Sequence, residues 1–150
     1  MKFVLGIIAA AFLFTAAPAG AQESTADKVA KAEAADKVAK AEAAALAWLA
    51  LADAGDYPRS WDEAADFVHS SISKPNWIHA VGSARQPLGS LISRKVKTAT
   101  FTRSLPGVPD GEYVVIKFDT QFEHKGSAIE TVTPLLDKDG SWKVAGYFIK

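Results

Sequence analysis

The chain has 150 residues, a formal net charge of +0 and no cysteine. That length supports a single domain, and the missing cysteines exclude a disulfide scaffold, a thiol nucleophile and cysteine-ligated zinc. The charge balance removes the electrostatic basis for binding nucleic acid or an anionic membrane.

Residues 1–21 have the pattern of a secretory signal peptide. Lys2 is followed by an uncharged run from Phe3 to Ala17, then Pro18 and the small residues Ala19-Gly20-Ala21. The run is 15 residues long, short of the roughly 20 that a membrane-spanning helix needs. The expectation is cleavage before Gln22, giving a bacterial product that is periplasmic or secreted, with no membrane attachment afterwards.

Residues 22–44 are rich in Ala, Lys and Glu and contain an exact duplication. Ala26–Ala34 and Ala35–Ala43 both read ADKVAKAEA. The residues favour a helix, and acid-before-base pairs such as Asp36 with Lys40 support one. Nine residues at about 100° each rotate by about 900°, which places Val29 and Val38 on opposite faces. No continuous apolar stripe is expected, so the segment reads as a solvated helical spacer rather than a partner-binding helix.

The domain itself is expected over 45–150. Leu46, Leu49 and Ala50 line one side of its first helix, and Trp48, Leu51 and Ala52 the other, the pattern of a helix enclosed all round. Gly55 ends it. Ser60 with Glu63 predicts the capped start of a second helix carrying Trp61, Ala65, Val68 and Ile72 on one face. Ser73 and Pro75 open a third, with Trp77, Val81, Ala84 and Leu88 at helical spacing. Beyond Gly89 the period shifts towards two, and strands are predicted at about 91–102, 112–123, 128–136 and 141–149. In the second, Val114, Ile116, Phe118 and Phe122 share a face; in the fourth, Trp142, Val144 and Phe148 do so, placing Phe148 in the core. Short turn-rich links imply hairpins. The predicted fold is α+β, with three N-terminal helices packed on a curved four-stranded antiparallel meander sheet.

The stretches AWLALADAGDYPRSWDEAADF, SLPGVPDGEYVVIKFDTQF, ETVTPLLDKDGSWKV and GYFIK, together with the Trp77 helix ending in RQPLG, resemble one family. It is the exported bacterial domain-of-unknown-function family forty-nineteen, and the resemblance spans about Ala45 to Lys150. It implies fold and export, and carries no activity. The order of elements is also similar, more loosely, to the cone-shaped folds named after nuclear transport factor two and the cystatins, which host enzymes and binding modules alike.

No phosphate-binding loop, metalloprotease helix or nucleophile elbow is present. His69 follows Asp66 by one helical turn, His79 lies on an outer helix face and His124 in a turn, a poor set for a metal. Asp137-Lys138-Asp139-Gly140 opens like a calcium loop, but Phe148 occupies the twelfth position, so a hairpin turn is expected. No catalytic residue, metal or cofactor is assigned. Arg94, Lys95 and Lys97 are read as a solvated basic face.

Two sets of candidates remain. Trp61, Trp77, Tyr113 and Tyr147 could line a ligand groove. Glu130 could be an inward carboxylate and hence a general base; the favoured register instead turns Ile129, Thr131 and Leu135 inward and Glu130 to water, beside Lys117 or Lys143. Tyr113, Val115, Tyr147 and Ile149 would then form an apolar outer patch. The favoured function is a non-catalytic exported module binding an unknown small ligand or an envelope protein. The alternatives are a small acid–base enzyme of cone fold and a dimerising envelope protein. The chain is expected to be a monomer or weak homodimer.

Overall fold

A computed structural model of the protein describes residues 23–150, so the leader and its cleavage point lie outside the described residues. Helix α1 (Thr25–Asp53), the short helices α2 (Tyr57–Asp62) and α3 (Asp66–Ser71), and helix α4 (Lys74–Arg85) with a 3-10 turn at Gln86–Leu88 come first. Strands β1 (Leu91–Thr102), β2 (Tyr113–Phe122), β3 (Lys125–Leu136) and β4 (Trp142–Ile149) follow. They pair in chain order, each antiparallel to the next. The α+β architecture is the one expected, and α1 packs against all four strands while α4 packs against α2 and α1.

The duplicated segment and the first domain helix are one continuous helix. Ser24 and Asp27 cap it reciprocally: the Asp27 N–H donates to Ser24 Oγ at 3.1 Å, and the Ser24 N–H donates to the Asp27 carboxylate at 3.3 Å. The first copy of the repeat stands in solvent, with Val29 53% exposed. The second copy docks. Ala41 is fully buried and Val38 packs against the core. Lys37 Nζ lies 2.6 Å from Glu112 Oε1 and 5.1 Å from the centre of the Phe101 ring. Val38, Ala41, Ala45, Trp48 and Ala52 form one stripe that begins inside the second copy. The opposite side is open to solvent, with Leu46 43% exposed, so α1 is not enclosed all round.

The expected second helix is broken in two. Asp56, not Ser60, caps α2, accepting the Arg59 N–H at 3.2 Å. Ser60 is buried inside α2, where its hydroxyl donates to the Tyr57 carbonyl (2.7 Å) and accepts from Trp77 Nε1 (3.0 Å). Ala64 and Ala65 are both fully buried, and the Ala65 N–H donates to the Val144 carbonyl on β4 at 2.9 Å. That bond to a sheet edge draws the backbone out of helical geometry. On α4, Trp77 and Val81 are buried as expected, but Ala84 is exposed and the buried position is taken by Arg85.

Two features set the facing of the sheet. β2 turns Val114, Ile116, Phe118, Thr120 and Phe122 inward, all buried. β3 pairs Phe118 with Glu130 and Ile116 with Val132, so Ala128, Glu130, Val132 and Pro134 face the helices. This is the opposite of the favoured register. Pro134, in an interior strand, has no N–H to donate, a situation found at bulges. Opposite it, Thr133 pairs with Gly146 and Pro134 with Val144, leaving Ala145 as an extra residue. The bulge reverses the phase of β4. Tyr147 and Ile149 therefore turn inward, and Phe148, opposite the outward Thr131, is 50% exposed instead of in the core.

Candidate functional site

Glu130 is fully buried and sits in a chain of charges. Arg94 reaches it from β1, with Nε 2.6 Å from Oε2 and Nη2 3.2 Å from Oε1. Thr120 donates to Oε2 at 2.8 Å and the Tyr147 hydroxyl to Oε1 at 2.6 Å. The other edge of the Arg94 guanidinium holds Asp53, at the end of α1, in a bidentate pair of 2.7 and 2.9 Å. Arg85 adds a 2.8 Å bond to Asp53. Its guanidinium lies 4.3 Å from the centre of the Phe122 ring, a contact that suits a cation with two unpartnered nitrogens, Nε and Nη1.

Two guanidinium groups and two carboxylates neutralise one another, which is how charges persist in a dry interior. Burial works against the Arg94 charge, but the hydrogen bonds and charges of Asp53 and Glu130 outweigh it and raise its pKa. Burial, then the Glu130 charge beside it, also raises the Tyr147 hydroxyl and keeps it a donor. Lys117 and Lys143 take no part. Lys117 is on the outer face, and Lys143 bridges Asp137 (3.5 Å) and Asp139 (3.1 Å). A general base needs contact with the proton it removes. Glu130 receives four hydrogen bonds and has no exposed surface.

The four aromatic candidates do not form one groove: Tyr113 and Tyr147 both line a cleft on the outer face of the sheet, and Trp61 and Trp77 do not. Trp77 and Tyr147 both meet Trp48, with ring centroids 6.1 and 5.0 Å apart, inside the domain. Trp61 tilts against His69 at 4.3 Å, and His69 Nε2 contacts the Trp61 carbonyl at 2.7 Å. Tyr113 lies on the outer face of the sheet, but the preceding loop covers it to 3% exposure, and its hydroxyl donates to the Pro109 carbonyl at 2.7 Å. The supposed outer patch is likewise divided, since Tyr147 and Ile149 face inward. Asp137 to Gly140 form a hairpin turn in which Asp137 also accepts the Asp66 N–H at 3.0 Å, at the start of α3. Burial would raise the Asp137 pKa, but the backbone N–H groups of Asp66 and Lys138, with Lys143, lower it.

A groove does exist, on the outer face of the sheet. It is a cleft of about 380 Å³, near the lower end of the roughly 300–1,000 Å³ typical of small-molecule sites. Its walls are Phe67 of α3, Leu105 and Val108 of the β1–β2 loop, and Phe148 of β4. The floor is Val115, Thr131, Thr133 and Gly146, with Lys117 at its margin. Gly146 leaves the floor low. A Cβ there would meet Thr133 Cβ at 3.7 Å, an ordinary contact.

A family model described as "Protein of unknown function (DUF4019)" matches residues 44–147. The chain belongs to that family. No curated protein and no solved structure matches it. The family segment contains all six residues of the charge chain and most of the groove; it leaves out both copies of the repeat, and it ends before Phe148.

Arg94 as the partner of Glu130, and Asp53 as the partner of Arg94, are not legible in the sequence because each looks solvated in its own segment. The available signal was the pairing of polar residues with inward positions: Thr120 among the apolar residues of β2 lies beside Glu130 only once β2 and β3 are in register. The groove had one local signal, Pro134, whose bulge turns Phe148 outward.

Proposed function

We propose that this protein is an exported, non-catalytic binding module whose contact surface is the outer-face groove. The observation that carries the proposal is the contrast between the two faces of the sheet. Inside, the ionisable groups are occupied with one another; outside, a recessed apolar cleft carries a half-exposed phenylalanine at its wall. Cleared apolar surface of this kind marks a binding site. The leader pattern supports export, and contact of α1 with all four strands supports an enclosing, cone-like sheet. A protein isolated from its host with Gln22 as its first residue would establish the export half.

Binding is tested with the neutral fluorophore N-phenyl-1-naphthylamine. The native protein is expected to enhance its fluorescence saturably. Gly146→Leu should abolish the enhancement while the protein still melts cooperatively, because a Cβ there makes only ordinary contacts and the longer side chain fills the floor. Equal enhancement by both proteins, or none by either, overturns the groove as the site.

A further inference from the structure

Resting on the groove proposed above, we infer that its ligand is a monomeric amphipathic carboxylate, apolar body against Val115 and Phe148 and charged head on Lys117. Lys117, Thr131 and Phe148 lie side by side across three strands on the outer face, as the pairings Lys117–Thr131 and Thr131–Phe148 show. They place a cation, a hydroxyl-bearing side chain and an exposed aromatic ring in one row.

The neighbouring charges leave Lys117 free. Asp119, two residues along the same face, is paired with Lys97 at 3.0 Å, and Lys117 has no carboxylate partner among the described residues. Among the described residues that line the cleft, Lys117 is the one charged residue, and Lys150 Nζ lies 5.8 Å from the centre of the Phe148 ring at its wall. Positive charge beside an otherwise apolar cleft is complementary to an anionic group on an apolar body. The cleft is recessed and carries one charged lining residue, which suits a free molecule. A lipid surface calls for a cluster of basic residues. Val115, Thr131 and Thr133 of the floor belong to β2 and β3, interior strands with both edges paired, so a peptide lying over them has no free strand edge to pair with.

The test follows backbone amide NMR signals of the full mature chain during titration with octanoate, 1-octanol and octyltrimethylammonium, all kept below micelle formation. Octanoate is expected to shift the amides of Lys117, Thr131 and Gly146 saturably, and to bind more tightly than the other two. Lys117→Gln should weaken octanoate by roughly two- to fivefold, as expected for losing a solvent-accessible ion pair, while Lys117→Arg restores it. Octanol binding as well as octanoate, with no effect of Lys117→Gln, overturns the anion and leaves the apolar groove standing. Shifts with none of the three overturn both. Shifts of the same amides on raising protein concentration alone, or on adding lipid vesicles but not octanoate, assign the groove to a second copy or to a membrane and overturn the inference.

Discussion

The two copies of ADKVAKAEA are identical, consecutive and part of the same helix, yet one is solvated and the other is built into the domain. Val29 is 53% exposed, whereas Val38 packs against the core. Ala32 is exposed, and its counterpart Ala41 is fully buried. The copies differ in where they lie along α1. Nine residues advance the helix by about 13–14 Å and half a turn, enough to carry the first copy off the sheet and rotate its valine away. Placement decides what a residue contributes; composition does not.

The sharpest test of that principle uses two carboxylates. Glu112 pairs with Lys37 of the second copy near the surface, and Glu130 pairs with Arg94 in the interior. Glu130→Gln is expected to cost about 3–5 kcal/mol, because it strands a buried guanidinium, whereas Glu112→Gln should cost about 0–1 kcal/mol. Chemical denaturation measures both. The double substitution Arg94→Met with Glu130→Leu should cost less than Glu130→Gln alone; a cost equal to or above it would mean the charges stabilise beyond their own desolvation.

Within the repeat, Ala41→Leu should destabilise by about 1–3 kcal/mol through overpacking against the sheet, and Ala32→Leu by less than about 0.5 kcal/mol. Equal effects would show that the first copy also docks. The valines should differ in sign. Val29→Ala gains a few tenths of a kcal/mol from helix propensity; Val38→Ala should lose roughly 0.5–1 kcal/mol net, since about 0.8 kcal/mol is lost per buried methylene. Thermal melts of the two variants side by side resolve this.

The smallest effect is expected at the β3–β4 turn, where Asp137 and Asp139 contrast a buried with an exposed acid. Both carboxyls are held below the ordinary value of 3.8, Asp139 at about 2, chiefly by its hydrogen bonds from Ser141. Groups lowered by folding stabilise above the unfolded value and lose that contribution as pH falls through the folded value. The melting temperature should therefore drop between about pH 4 and pH 2, and Asp137→Asn should flatten that acid limb. An acid limb unchanged by Asp137→Asn would show that Asp137 is not linked to folding.

Much of the fold was legible because local rules sufficed. The alternation in β2, the Asp-Gly and Lys-Gly turns and the change of period after Gly89 all concern neighbours in sequence, and the strand ranges followed from them. The break between α2 and α3 was not legible, since it depends on the bond from the Ala65 N–H to Val144, 79 positions later. The site was less legible still. Of the four aromatic candidates, Tyr113 and Tyr147 do line the groove, whereas Trp61 and Trp77 lie elsewhere in the domain. The residues that shape the groove include Gly146 and Thr133, which carry no obvious chemistry.

Sequence by itself determined the four strands, the helices-then-sheet order and the antiparallel pairing, because hydrophobic period and turn residues act over a few positions. It also contained the proline that forces a bulge in β4. Only the tertiary structure decided which face each strand presents, which copy of the repeat is buried and which charges meet. A strand's two faces differ by one residue of register. For β3 both choices offered a tolerable apolar set, and the balance was tipped by Arg94 arriving from β1 to neutralise Glu130, with Asp53 of α1 holding the other edge of its guanidinium.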